Sequence, residues 1–171
     1  LPAWCGMTSE NAAHRIAVEW TDGSGSPQEG VYILRRDSNA RVNTWLGGRL
    51  FPGVHGRAAF AVDERDDRFS VRVSNGSGAP LAMVRGRVGR TLPSGSVFGS
   101  LAEASAWFAA GSVGYSPARG VGHLDGIRLA SETWLVEPLD VEAVASSWLE
   151  DTPVFPGGSA RYDCTLPMRN I

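Results

Sequence analysis

The stretch Leu46–Phe60, LGGRLFPGVHGRAAF, decides the reading of the fold. Gly47-Gly48 closes a helix, Pro52-Gly53 marks a turn, and His55 and Arg57 then lead into an apolar run. Residues two apart in a strand share a face. His55, Arg57, Ala59 and Ala61 therefore fall on one side, and Ala58, Phe60 and Val62 on the other. Two polar heads followed by two small side chains leave space on their face. That pattern points to a strand at the mouth of a polar-lined lumen.

The flanking sequence is read with the same periodicities. Segment 14–20, HRIAVEW, alternates Ile16, Val18 and Trp20 against polar neighbours, and 30–36, GVYILRR, is rich in β-branched and aromatic residues. TDGSGSPQEG between them is a turn cluster, so the pair reads as a hairpin. Asp37-Ser38 offers an N-cap to a helix over 38–47, with Val42, Trp45 and Leu46 at helical spacing. Segments 54–64, 68–74 and 81–88 read as further strands. Ser100-Leu101-Ala102-Glu103 fits a capping box, and Leu101, Ala104 and Phe108 form a stripe, predicting a second helix over 100–110 that ends at Gly111. Residues 112–120 read as a strand end and loop, 124–141 mainly as strand, and 159–168 as a last strand. The stretch 141–149 suits helix and strand equally. The expected fold is mainly β (α+β): a curved antiparallel sheet or barrel of about eight strands with two short helices, no βαβ alternation, and one domain across residues 1–171.

Composition narrows the function. The net charge is -2 and the arginines are scattered among acids, which argues against a nucleic-acid surface. No apolar run approaches the roughly 20 residues needed to span a bilayer, and the opening residues do not form a signal peptide. The expectation is a cytoplasmic bacterial protein with no cofactor and no metal, a small-molecule ligand as its partner, and self-association into a homo-oligomer left open. The chain opens on Leu1, which points to processing or to a fragment. All 16 basic side chains are arginine, so no side-chain amine exists for Schiff-base catalysis. Cys5 and Cys164 form no metal or redox spacing; two reduced buried thiols are the first reading and a disulfide the second.

The run GVYILRRDSNARVNTWLGGRLFPGVHGRAAFAV resembles the YqjF-like domain of unknown function. The likeness rests on Gly30-Val31-Tyr32, the short helix, Arg49-Leu50-Phe51, Pro52, His55 and Arg57. GSVGYSPARG, the strand from Trp134 to Leu139, and the ending SARYDCTLPMRNI extend it. The resemblance implies a place with the acetoacetate-decarboxylase-like proteins, whose antiparallel strands surround a central pocket. It also implies that the first strands of that family are missing here. The decarboxylases carry a Schiff-base lysine on the turn that falls near Gly53-Val54, and this chain has none. Their pocket glutamate corresponds best to Glu10.

Two candidates carry acid/base chemistry. His55 is a candidate general acid or base, or else simply hydrogen-bonds a turn carbonyl. Glu10 is the second candidate, or a salt-bridge partner for Arg57. Arg57 is the first ligand-binding candidate, since a guanidinium grips a carboxylate in bidentate fashion. Arg36 is another: Arg35 and Arg36 end one strand and only one of them can face the lumen, but parity does not say which. Glu132 and Tyr115 complete the ligand-binding set, with ordinary packing as their alternative. His14, His55 and His123 show no HxH or HExxH arrangement, no GxSxG elbow occurs, and the glycine-rich stretches are turns rather than phosphate cradles. The favoured function is a small-molecule-binding barrel. The alternatives are an enzyme acting on a small carbonyl or carboxylate substrate through His55, and a structural accessory domain.

Overall fold

The β1–β2 hairpin forms where the sequence alternates most regularly. In the computed structural model, which describes residues 9–46, 53–111, 113–118, 123–128, 134–150, 153 and 155–168, β1 (Asn11–Thr21) pairs antiparallel with β2 (Pro27–Ser38) along its whole length. Asp22 builds the turn: its carboxylate accepts from the backbone N–H of Ser24 (2.9 Å) and of Ser26 (3.0 Å), and Gly25 takes φ 85°. α1 (Arg41–Leu46) follows, then β3 (His55–Arg65), β4 (Arg68–Asn75), β5 (Pro80–Val88), α2 (Leu101–Ala110), β6 (Val113–Pro117), β7 (Leu124–Arg128) and β8 (Leu139–Ser146).

The chain divides into two compact units, residues 1–58 with 113–129 and residues 59–112 with 130–171. In the first, β1 occupies one edge of β2. The other edge is shared: Val31 and Tyr32 pair with Gly114 and Tyr115 of β6, and Arg36–Ser38 pair with His55–Arg57 of β3. Both of these ladders are parallel, and β7 adds antiparallel to β6. Val31, Ile33 and Ala58 are the buried apolar residues here. In the second unit the later part of β3 leads to the β4–β5 hairpin, and β8 pairs antiparallel with β5. Val73, Ala104 and Leu139 are buried there.

The chain is thus mainly β with two short helices, as the periodicity predicts, but its strands are not all antiparallel. β2, α1 and β3 form a parallel crossover, where the sequence reading expects no βαβ alternation. Parallel neighbours need a long connection, and Asn39–Val54 supplies it. Most of the pairings are antiparallel, as expected; alternation marks a strand without marking its direction, which is why the two parallel ladders are not visible in the sequence. Among the described residues the pairings do not close into a ring: β7 pairs there with β6 alone, and β8 with β5 alone.

Several boundaries move. α1 begins at Arg41 rather than 38, because Asp37 and Ser38 finish β2 and are buried. Ser38 Oγ still accepts from Ala40 N–H, while Asp37 is committed elsewhere. α2 keeps its predicted cap: Ser100 Oγ accepts from Glu103 N–H at 3.1 Å, and the Glu103 carboxylate accepts from Gly99 N–H at 2.9 Å. Its stripe is narrower than expected. Ala104 is buried, whereas Phe108 is exposed and packs on Phe98 and Trp107. The ambiguous stretch 141–149 is strand as far as Ser146; of the strand expected over 124–141, 124–128 and 139–141 are strand and 134–138 irregular. Residues 159–168 form no strand. They accept hydrogen bonds from Glu137 and Leu139 through the carbonyls of Pro167 and Thr165, and Pro167 has no N–H to return one. No described helix is long and apolar enough to cross a membrane.

Candidate functional site

Strand register assembles the site. β1, β2 and β3 bring Ala13, Arg36 and His55 side by side in one row. Asn11, Ser38 and Arg57 form the next row two residues along. In-register neighbours share a face, so both rows lie on the same side of the sheet. The residues between them, Ala12, Asp37 and Gly56, belong to the opposite side.

That opposite side holds a buried ionic cluster. Asp37 is only 1% exposed. Arg35 Nε donates to its two carboxylate oxygens at 2.8 and 3.0 Å, Arg35 Nη2 lies 2.7 Å from Oδ1, and His14 Nε2 lies 3.3 Å from Oδ2. Burial by itself would raise the Asp37 carboxyl. The hydrogen bonds from His14 and Arg35 and their charge outweigh burial and hold it below the usual carboxylate range. Gly56 completes the cluster by having no side chain: a Cβ there would collide with Asp37 Oδ1 and Arg35 Nη2. The glycine between His55 and Arg57 therefore makes room for a neighbouring strand's carboxylate.

On the facing side, Arg36 is held in place from β6. Its Nη1 donates to Ser116 Oγ at 2.6 Å, and Ser116 is fully buried. The turn before β3 leaves room for this contact. Gly53 adopts φ 98°, donates its N–H to the Pro117 carbonyl at 3.0 Å, and a Cβ at this position would stand 2.8 Å from Arg36 Nη1. Burial, and then the neighbouring positive charge of Arg15, push the Arg36 guanidinium below its ordinary range.

Arg15, Arg36 and His55 line one cavity of about 500 Å³, with Asn11, Ser38 and Asn43 as its neutral polar wall and Ala12, Ala13 and Ile127 as its apolar part. Asn43 comes from α1 and ties that wall together, its Nδ2 donating to Ser38 Oγ, Ser9 Oγ and Asn11 Oδ1 at 3.1–3.2 Å. Such a volume lies within the range of small-ligand pockets.

The predicted site residues separate. His55 and Arg36 reach the same cavity, and the question left by parity resolves in favour of Arg36, with Arg35 turned to Asp37. Arg57 lies in the row beside Ser38 but is exposed and outside the cavity wall, and Ala59 and Ala61 on its face are exposed too. Along that face of β3 only His55 lines the cavity; the buried residue of β3 is Ala58, on the other face. Glu10 is exposed, and its backbone exchanges hydrogen bonds with Asn39. Among the described residues no ion pair joins Glu10 to Arg57. Tyr115 stacks edge-on against Trp20 at 5.5 Å, and Glu132 lies outside the described residues. His14 and His55 sit on opposite faces, and no described cluster of three His, Cys, Asp or Glu side chains is arranged to hold a metal.

Sequence reasoning misses Arg15, Ser38, Asn43 and the His14–Asp37–Arg35 cluster. Ser38 follows from Arg36 by the strand period once the facing side is known. Arg15 is not recoverable, since its face reads as solvent-exposed unless the position of β3 is known.

The second unit has a cavity of about 760 Å³ walled in part by Arg87, Glu142, Tyr162 and Asp163. Two of its three carboxylates, Glu142 and Asp163, are met internally, and Asp140 is the third. Glu142 lies 3.3 Å from Arg85 and 3.5 Å from Arg87, and Asp163 accepts from Ser96 Oγ at 2.8 Å and Val97 N–H at 2.9 Å. Cys164 beside it is half-buried. Burial and the Asp163 carboxylate push its thiol up to about 11, which makes it a poor nucleophile. Cys5 lies outside the described residues. The cavity of the first unit is therefore the candidate site. No protein-family model, curated protein or solved structure matches the chain, so this assignment stands on geometry alone.

Proposed function

We propose that the chain is a cytoplasmic small-molecule-binding protein whose ligand occupies the cavity between β1, β2 and the start of β3. The observation that carries this reading is the convergence of Arg36 and His55, from the adjacent parallel strands β2 and β3, on one cavity. The fixed Arg36 guanidinium and the hydrogen-bonded Asn43 suit a site organised before its ligand arrives. The resemblance to the YqjF-like group agrees with this reading. On it, the mixed sheet is part of an acetoacetate-decarboxylase-like barrel, and Arg57 and Glu10 flank the pocket rather than line it.

The second reading, an enzyme using His55 as acid or base on a small carbonyl or carboxylate compound, draws on the position of His55 beside Arg36. One experiment addresses both. A panel of small metabolites is screened by thermal shift against the wild type, His55→Ala and Arg36→Ala. A metabolite that stabilises only the wild type supports binding at this cavity, and its chemical conversion by the wild type but not by His55→Ala supports the enzyme. Ligands that stabilise all three proteins equally would overturn both.

A further inference from the structure

We infer that Asn75 is a self-modifying residue: its side chain closes onto the backbone nitrogen of Gly76 as a cyclic imide, water opens the ring to aspartate, and the β4–β5 turn keeps that aspartate where the amide stood. Asn75-Gly76 is the one Asn-Gly pair in the chain; the other asparagines precede Ala12, Ala40, Thr44 and Ile171. Gly76 is exposed and has no side chain to crowd its nitrogen, and a Cβ there would meet no described atom within 4 Å. The reacting atoms belong to adjacent residues, so the attack is intramolecular. The Gly76 nitrogen gives up its proton and bonds to the Asn75 Cγ, and the side-chain nitrogen leaves as ammonia. Water then breaks one of the two imide C–N bonds. Breaking the bond at Cγ restores the ordinary peptide and yields aspartate. Breaking the bond at the main-chain carbonyl yields isoaspartate, with a backbone one methylene longer.

Negative charge builds on Oδ1 both when the ring forms and when water adds at Cγ. Three donors already converge on that oxygen: the Ser77 N–H at 3.0 Å, Ser77 Oγ at 2.7 Å and the Ala79 N–H at 2.9 Å. Donors aimed where charge develops favour the step that develops it, so these direct water to Cγ and the product to aspartate. The β1–β2 turn displays that product in place. Asp22 holds the corresponding position, and its Oδ1 accepts from the Ser24 N–H at 2.9 Å, Ser24 Oγ at 2.6 Å and the Ser26 N–H at 3.0 Å. The backbone bonds match too: Gly25 N–H donates to the Asp22 carbonyl at 3.0 Å, and Gly78 N–H to the Asn75 carbonyl at 2.9 Å. The Ser24 hydroxyl, and then the Ser26 N–H, hold the Asp22 carboxyl below its usual range. A carboxylate therefore suits this turn as well as an amide does, whereas the longer backbone of isoaspartate breaks the match.

The test incubates the full chain for weeks in mildly alkaline buffer, folded and in urea. Mass spectrometry that separates asparagine, aspartate and isoaspartate then follows the peptide carrying residue 75. The folded chain is expected to convert Asn75 while Asn11, Asn39 and Asn43 stay intact, with an aspartate-to-isoaspartate ratio several-fold above that of the chain in urea. Ser77→Ala removes one donor and should lower the folded-state ratio about fivefold, the worth of one ordinary hydrogen bond. Asn75→Asp, which makes the product directly, should melt no lower than the wild type. An Asn75 that stays intact in the folded chain overturns the proposal, because the turn then protects the amide. A folded-state ratio equal to that in urea, or unmoved by Ser77→Ala, overturns it as well, and so does a destabilised Asn75→Asp.

Discussion

Asp37 lies under the cavity floor, and its charge ties protein stability to pH. Its folded pKa is depressed, so its contribution is complete above the unfolded carboxyl value of about 4 and is lost as the pH falls through the folded value. Asp37→Asn should lower stability at pH 7 by about 2 kcal/mol. The gap between variant and wild type should close as the pH drops below about 4, which denaturant melts across that range would measure. Gly56→Ala tests the same cluster from the neighbouring strand. Its methyl group meets Asp37 Oδ1 and Arg35 Nη2, so the pair must shift to make room, and a loss of about 1 kcal/mol is expected in the same melts. Residue types and strand parity single out His55 and Arg57 as polar groups on one face of a strand, and reduce Arg35 and Arg36 to one of the two without saying which. Which of them meet depends on the register with β2, and no pattern within β3 encodes that register.

Two loops do the same job in different places. Asp22-Gly23-Ser24-Gly25-Ser26-Pro27 and Asn75-Gly76-Ser77-Gly78-Ala79-Pro80 close the β1–β2 and β4–β5 hairpins with matching bonds. In each, the first side chain accepts from the N–H groups two and four residues on, and the fourth residue is a glycine at φ 84–85°. Replacing Gly78 by alanine forces a side chain into that left-handed region, and chemical denaturation should register a loss of about 1 kcal/mol. At α2, Ser100→Ala removes the acceptor for Glu103 N–H and should lower stability by about 1 kcal/mol. The hairpins and the α2 cap are legible in the sequence because turn chemistry and capping act over a few neighbouring residues. The parallel placement of β3 is not, because direction is set by a connection whose path is a tertiary matter.

For the whole molecule, the absence of lysine has a chemical outcome. Borohydride treatment with acetoacetate or pyruvate should leave every internal residue unmodified by mass spectrometry, since none of the 16 basic side chains is a lysine. A reduced adduct on an internal peptide would contradict this. The mainly β composition of the fold is visible in the alternating segments. Its division into two compact units is not, because each unit draws on chain segments separated by many residues: 113–129 returns to the first unit after 59–112 has entered the second.

That return has a consequence for the order of folding. Ser116 reaches Arg36 across 80 residues of sequence, and closing such a loop is slow compared with forming a hairpin. The β1–β2 hairpin is complete as soon as its own residues are available, but Arg36 takes its final orientation only after β6 has docked on β2. During synthesis, or in refolding from denaturant, the hairpin should therefore form first and the guanidinium geometry last. In a refolding time course, recovery of binding at the cavity should trail the recovery of β signal in far-ultraviolet circular dichroism, and Ser116→Ala should weaken the late step while leaving the early one intact.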